Sequence, residues 1–159
     1  AAVKQNGGGV QTVAFDGYVK IKPADSPERA AAMVEVRKVI PAGGFGAMTD
    51  DQRAELRKRM AAVNAKYPVP RATVADFVDH VDYLVRKIGI DHVGISSDFD
   101  GGGGVDGWSG ADETLNVTIE LVRRGYTEEQ IGKLWSGNLL RVMDDVQRVA
   151  AELQKTARQ

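Results

Sequence analysis

The segment that most constrains the fold of this chain runs from residue 92 to residue 104, with the sequence His-Val-Gly-Ile-Ser-Ser-Asp-Phe-Asp-Gly-Gly-Gly-Gly. It begins as a short apolar strand, ends on two acids, Asp98 and Asp100, and continues into four glycines. Acids at the carboxyl end of a buried strand, next to backbone that can approach a ligand closely, are typical of an α/β active site. The segment therefore predicts a buried strand with a functional edge.

An amphipathic helix precedes this strand. Thr73 is placed to cap the helix, and apolar side chains recur at helical spacing along one stripe: Val74, Phe77, Val78, Val81, Leu84, Val85 and Ile88. Gly89 stands where a helix-terminating glycine belongs, and the predicted strand over residues 90–97 follows almost at once. A helix joined to a strand by so short a turn is typical of an α/β repeat.

The remaining sequence predicts one more strand, over residues 10–15, and several helices. These helices cover residues 25–39, 50–64 and 112–124, and two more begin at Thr127 and near Gly137; Thr49 and Thr127 each open a capping box with a Gln. Two strands do not form an independently stable sheet, so the chain is either mostly helical with a small hairpin or part of a larger α/β domain. Val93 and Ile95 alternate with small residues, which favours part of a larger α/β domain. Such a pattern suits a strand with helices on one side and a barrel lumen on the other.

Composition limits the classes of function. The 159 residues are 43% hydrophobic and 27% charged, with a formal net charge of -1. This gives no electrostatic case for a nucleic acid or an anionic membrane as partner. No apolar run approaches the roughly 20 residues of a membrane span, and the lack of cysteine excludes disulfides. The chain starts at Ala1 rather than Met, which leaves a removed targeting segment open.

Asp98 and Asp100 allow several kinds of chemistry. Their carboxylates could ligate a metal, accept a proton or bind a substrate ammonium group. Alternatively, both could bond to backbone N–H groups of the loop, as turn aspartates do. His92 lies roughly 20 Å before Asp98 along the strand, and His80 lies on the preceding helix. We therefore expect both histidines to be structural.

The glycine run and Trp108 also have alternative interpretations. Without a Lys, Ser or Thr at P-loop spacing, a flexible loop over a pocket is favoured over a phosphate cradle. Trp108 could line that pocket or only anchor the loop. The sequence Asp98-Phe-Asp-Gly101 also resembles the start of haloacid-dehalogenase-type phosphatases, whose first acid is the nucleophile. That motif usually continues with Thr or Val and lies near the start of its domain.

Two blocks of the sequence resemble the membrane (renal) dipeptidase family of zinc peptidases. Residues 79–101, which end in Gly-Ile-Ser-Ser-Asp-Phe-Asp-Gly, are similar to the last barrel strand of that family and the helix before it. Residues 121–143, with the stretch Gly-Asn-Leu-Leu-Arg-Val, are similar to its C-terminal helices, and residues 10–15 resemble the strand before the last. The blocks occur in the family's order, whereas residues 25–70 resemble a variable crossover.

The resemblance implies an α/β fold, the C-terminal part of a (β/α)8 TIM barrel that binds two zinc ions and hydrolyses dipeptides. Asp98 matches the acid that accepts a proton from the attacking water and donates one to the leaving amine. Asp100 and Gly101 match the neighbouring loop that walls the substrate pocket. The family's zinc-binding motifs, a His-x-Asp, a bridging Glu and two later histidines, have no match here, so no metal ligand is assigned to this chain.

We accordingly expect residues 1–159 to be the C-terminal segment of one barrel domain that is inactive alone. Its expected partners are a dipeptide substrate and the N-terminal barrel segment with the metal ligands. The family is compatible with a homo-oligomer and with a periplasmic, secreted or membrane-attached location. Two alternatives stay open: a binding or maturation protein of the same fold without metals, and the Asp-x-Asp phosphatase.

Overall fold

The computed structural model describes residues 2–156, which form two compact units, residues 2–21 with 71–156 and residues 22–70. In chain order the elements are α1 (Ala2–Gln5), β1 (Val10–Val13), α2 (Asp16–Val19), α3 (Pro27–Arg37), α4 (Asp50–Lys66), α5 (Val74–Ile88), β2 (Val93–Ser96), α6 (Thr114–Arg123), α7 (Glu128–Gly132) and α8 (Asn138–Thr156). A π-helical turn at Lys133–Gly137 joins α7 to α8. Across the described residues, none of the helices has the length and apolar character that crossing a membrane requires.

The two strands of the larger unit are parallel, with Val10 opposite Val93 and Val13 opposite Ser96. Side chains alternate between the faces of a sheet, so Val93 and Ile95 share one face, where both are buried in the core. Gly94 lies on the other face beneath the side chain of Gln11, and a Cβ on Gly94 would lie 2.6 Å from the Gln11 Cδ. The predicted division into a helix-covered face and a small-residue face is confirmed.

Helix α5 supplies much of the core because its apolar stripe lies against the sheet. Phe77, Val78 and Val81 are fully buried. Thr73 caps the helix, with its hydroxyl accepting from the Asp76 N–H at 3.2 Å while the Asp76 carboxylate accepts from the Thr73 N–H at 2.8 Å. Gly89, with φ of 92°, ends it. The helix predicted from the apolar stripe is confirmed at both ends.

Both strands are shorter than predicted. Residues 90–92 form a 3-10 turn instead of the start of β2, where the His92 ring contacts the Gly8 carbonyl at 2.7 Å. At the other end of β1, the Ala14 N–H still donates to the Ser96 carbonyl at 2.9 Å, but Phe15 pairs with Gly104 in an isolated bridge. The chain therefore leaves the sheet where residues distant in the sequence offer its backbone other partners.

Helix α8 is fixed at its beginning and exposed along its length. The buried Asn138 amide donates to the Ile90 carbonyl at 2.7 Å and to the Val93 carbonyl at 2.8 Å. Arg141 donates to the carbonyls of Gly7 and Asp91, each at 3.0 Å. These contacts secure the segments that lead into β1 and β2. The same helix also carries exposed apolar side chains: Leu139, Leu140, Met143, Val146, Val149 and Leu153.

The smaller unit is a pair of helices, α3 and α4. Ser26 caps α3, and the predicted capping box of Thr49 and Gln52 begins α4. Arg29 links the beginning of α3 to the end of α4, because its guanidinium donates to the Asn64 side chain and to the Tyr67 carbonyl, each at 3.0 Å. The structure confirms both helices predicted for this region.

Candidate functional site

The candidate site lies at the carboxyl ends of the two parallel strands. β2 ends at Ser96, and Asp98 follows with φ of 56°, the only described non-glycine residue with a positive φ. Asp is one of the few residue types that enter this left-handed region at moderate cost. Because β2 ends at Ser96 and φ is reversed at Asp98, Asp98 does not continue the alternation of Gly94 and Ser96 along one face of the sheet.

The backbone of the following loop is organised around the Asp98 carbonyl. This oxygen accepts hydrogen bonds from the Gly101 N–H at 3.1 Å and from the Gly103 N–H at 2.7 Å. A Cβ on Gly103 would lie 2.7 Å from that same oxygen, so only glycine fits. Two of the four glycines thus serve a tight turn beneath Asp98, which argues against a freely flexible loop.

The Asp98 carboxylate is exposed and lies over Gly101. A Cβ on Gly101 would lie 2.7 Å from Oδ2 of Asp98, so a larger residue there would displace the carboxylate. Within residues 2–156, neither Asp98 nor Asp100 has a side-chain hydrogen bond or ion pair, and both are exposed. The interpretation of both acids as turn aspartates whose side chains bond to loop N–H groups is therefore wrong. The structure brings Asp98, Asp100 and Gly101 together in one turn.

Three charged residues beside this loop were not predicted from the sequence. Asp16 lies three residues after the end of β1, at the start of α2, and its carboxylate accepts from the Ala72 N–H at 2.7 Å. Arg71 lies 3.7 Å from Asp16 (Nε to Oδ2) and 3.2 Å from Asp106 (Nη1 to Oδ1). Asp16 could have been found by the rule that selected Asp98, since each acid follows a parallel strand. Nothing local in the sequence indicates its pairing with Arg71.

Trp108 anchors the loop and does not line an open pocket. It is 2% exposed, and its indole N–H donates to the Thr114 hydroxyl at 3.2 Å. The rings of Phe77 and Phe99 lie 5.5 Å from it, the latter edge-to-face. Phe99 stands between Asp98 and Asp100, so this contact connects the turn that carries both acids to the core.

The histidines have structural contacts, as predicted. His92 contacts the Gly8 carbonyl, and the His80 ring Nε2 lies 2.9 Å from the Val19 carbonyl oxygen. In the described part of the chain, no group of three or more His, Asp or Glu side chains is placed to hold a metal ion. A zinc centre takes three or four such ligands from the protein. The residues present therefore do not fit a zinc centre by themselves.

A second cluster of charges lies between α5 and α6. Arg124 donates to Asp82 at 2.7 Å and to Asp79 at 2.6 Å, and the Tyr126 hydroxyl donates to Asp82 at 2.6 Å. Burial is the main cause, and this hydrogen bond the second, that raises the pKa of Tyr126 well above its usual range. Asp79 and Asp82 are paired with the Arg124 cation, so the cluster stabilises the packing of α5 against the end of α6.

The chain is similar to several known proteins. The family model described as membrane dipeptidase (Peptidase family M19) matches residues 1–157. The chain is 39% identical over 82 residues to dipeptidase tcpJ of Claviceps purpurea, covering 51% of this chain and 19% of that protein. It is 45% identical over 80 residues to dipeptidase ataJ of Aspergillus terreus, covering 48% of this chain and 19% of that protein.

The chain is also similar over most of its length to a solved structure. The crystal structure of the probable dipeptidase PvdM from Pseudomonas aeruginosa matches with a TM-score of 0.63 and 35% identity, covering 92% of this chain and 39% of that chain. The mixed α/β architecture is thus shared with that structure. The matches span 19% of the length of each of the two curated relatives.

Proposed function

Since this chain belongs to the membrane dipeptidase family, we propose that it is the C-terminal segment of a (β/α)8 barrel that hydrolyses dipeptides. The observation that carries the proposal is the exposed, unpaired Asp98 carboxylate at the end of a parallel strand, since barrel enzymes place catalytic groups at this edge. Asp98 supplies the proton-handling acid, and Asp100 and Gly101 form part of the substrate pocket wall. The names of the relatives support dipeptides as the substrate class.

Two features support the proposal that the rest of the barrel lies outside these 159 residues. The sheet of the described chain has two parallel strands, and parallel sheets are normally covered on both faces and continued by neighbours. Helix α8 carries a row of exposed apolar side chains that includes Met143, Val146 and Leu153. Further strands and helices of the same barrel would cover both surfaces.

Zinc belongs to the proposal for the complete barrel. The described residues do not provide a set of zinc ligands, so we place these ligands on the strands that complete the barrel. The chemistry derived for this chain is confined to proton transfer at Asp98. Positioned general acids and bases contribute about 10²- to 10⁴-fold to rate, and the backbone bonds to the Asp98 carbonyl hold this residue in one conformation before substrate binds.

The test uses the complete enzyme with Asp98→Asn, a substitution chosen because Asn tolerates the left-handed conformation and removes only the charge. We expect kcat for dipeptides to fall at least about 100-fold with little change in thermal stability. Asp100→Asn should change KM more than kcat. Asp112→Asn, which alters an exposed acid of the Ala111–Glu113 turn, is the matched control and should have no effect on either constant.

Two further measurements separate the alternatives. Counting bound zinc in the complete protein distinguishes the hydrolase from a binding or maturation protein that has lost its metals. Assay of a phosphate ester with magnesium tests the phosphatase. An Asp98→Asn enzyme that turns over dipeptides at the normal rate would remove Asp98 from the reaction, and absence of hydrolysis by a zinc-loaded wild-type barrel would reject the whole proposal.

A further inference from the structure

The loop that holds Asp98 is attached to the protein at its far end through Gly104. The Gly104 N–H donates to the Ala14 carbonyl at 2.6 Å, at the end of β1, and its carbonyl accepts from Nη2 of Arg71 at 3.3 Å. Gly104 is buried and has φ of 123°. Residues 97–103 therefore connect the end of β2 to Gly104, which is hydrogen-bonded to the residue that follows β1.

Arg71 is bound on three sides at this point. Its guanidinium contacts Gly104 and the carboxylates of Asp16 and Asp106, which come from different segments of the chain. The backbone reinforces the arrangement, because the Asp106 N–H donates to the Ala72 carbonyl at 2.8 Å and the Val74 N–H donates to the Asp106 carbonyl at 3.1 Å. The planar guanidinium provides several donors in fixed directions, which a lysine ammonium cannot reproduce.

We propose that Arg71 is a positioning residue that sets the location of the Asp98 carboxylate by fixing Gly104. This inference rests on the proposed function of Asp98. If the guanidinium is removed, Gly104 keeps its bond to Ala14 but loses the contact on its other side, and Asp16 and Asp106 are left without this cation. The turn over residues 98–103 can then shift, and displacing a reacting group by about 1 Å can lower a rate by about 100-fold.

A direct contact between Arg71 and the carboxylate of a substrate is the competing explanation. Arg71 is 44% exposed and already lies beside two carboxylates, one of which, Asp16, is only 15% exposed. Two nearby negative charges weaken the attraction of a third. The geometry thus favours an internal role, and the two explanations differ in the kinetic constant that they affect.

The first test uses Arg71→Met and Arg71→Lys in the complete enzyme, with Arg123→Met as control because Arg123 is 74% exposed and lies 3.9 Å from Glu120. Hydrogen exchange reports local opening. We expect the amides of Gly103 and Gly104 to exchange at least about tenfold faster in Arg71→Met, less so in Arg71→Lys, and normally in the control. Unfolding curves of each variant identify general destabilisation, and Arg71→Lys keeps the test valid if Arg71→Met does not fold.

The second test uses the same variants in the complete enzyme. Arg71→Met should lower kcat about 10- to 100-fold with KM within about threefold of normal, and Arg71→Lys should recover part of the loss. In an Asp98→Asn background, Arg71→Met should cause no more than about a twofold further loss, because two residues that act through one step are not additive. A purely structural residue would add its effect to that of Asp98.

The outcomes separate the two proposals. If Asp98→Asn impairs turnover while Arg71→Met changes neither exchange nor kcat, the positioning role is wrong and the function of Asp98 stands. A raised KM with normal kcat would assign Arg71 to substrate binding and overturn the positioning role. If Asp98→Asn is fully active, both the role of Asp98 and the role of Arg71 are rejected.

Discussion

Replacing Asn138 by Ala should strongly destabilise the chain, although this residue lies far along the sequence from the strands. Its side chain is 4% exposed, and its amide donates to the carbonyls of Ile90 and Val93, on either side of the start of β2. Alanine supplies no donor. The bond to Val93 is buried, so water does not readily replace it.

The expected cost follows from these two bonds. Each hydrogen bond contributes about 0.5–1.5 kcal/mol net, and a buried polar group left unsatisfied costs about 1–3 kcal/mol. We assign the lower range to the Ile90 carbonyl and the higher range to the buried Val93 carbonyl. The free energy of unfolding should then fall by about 2–4 kcal/mol in total. For a chain of this size, that corresponds to a fall in Tm of roughly 4–16 °C.

Urea unfolding monitored by tryptophan fluorescence and circular dichroism measures this loss. Asn116→Ala is the matched control, because the exposed Asn116 makes one bond, to the Gly107 carbonyl at 2.8 Å, and should cost less than about 1 kcal/mol. Asn138→Asp adds a pH test. A carboxylate facing two carbonyl oxygens would have its pKa raised on folding. The stability that Asn138→Asp loses relative to the wild type should therefore grow as pH rises above about 4. Equal losses for Asn138→Ala and Asn116→Ala would refute the reasoning.

Two further predictions concern the loop and α5. Gly101→Ala should lower kcat of the complete enzyme about 10-fold or more with little loss of stability, because only the Asp98 carboxylate must move. Steady-state kinetics measures this effect. Gly132→Ala is the control, because a Cβ on Gly132 meets nothing within 4 Å. Unchanged kcat in Gly101→Ala would contradict this. The pKa of Asp76 is lowered mainly by the hydrogen bond from the Thr73 backbone and secondly by the bond from the Thr73 hydroxyl. Asp76→Asn should therefore destabilise the chain at pH 7, and the destabilisation should become progressively smaller as pH falls below about 4. Urea midpoints across that range test this, and a deficit independent of pH would count against it.

Much of the local structure could be predicted because its signals are local. Capping boxes at Thr49 and Thr127 and the apolar stripe of α5 each depend on residues within a few positions, and each is present in the structure. The position of Asp98 could be predicted for the same reason, since an acid that follows a buried strand lies at the strand's end. The lengths of the strands could not, because they depend on contacts such as that of His92 with Gly8, 84 positions away.

The conformation of the site was less predictable than its location. The positive φ of Asp98 results from the bonds that its carbonyl receives from Gly101 and Gly103, and a glycine run alone does not specify that turn. The role of Arg71 was not visible because the residues that it contacts lie far away in the sequence. Such pairings depend on how the strand ends and the following segments pack together.

The π-helical turn between α7 and α8 makes the number of residues there as important as their identity. The turn, Lys133–Gly137, is followed directly by Asn138. Deleting one residue from it would allow an ordinary α-turn, but α8 would then rotate by about 100° relative to α7. The amide of Asn138 would leave the carbonyls that it binds, and the apolar row of α8 would face another direction. An open loop could accommodate the same deletion, whereas this junction tolerates no change in its number of residues.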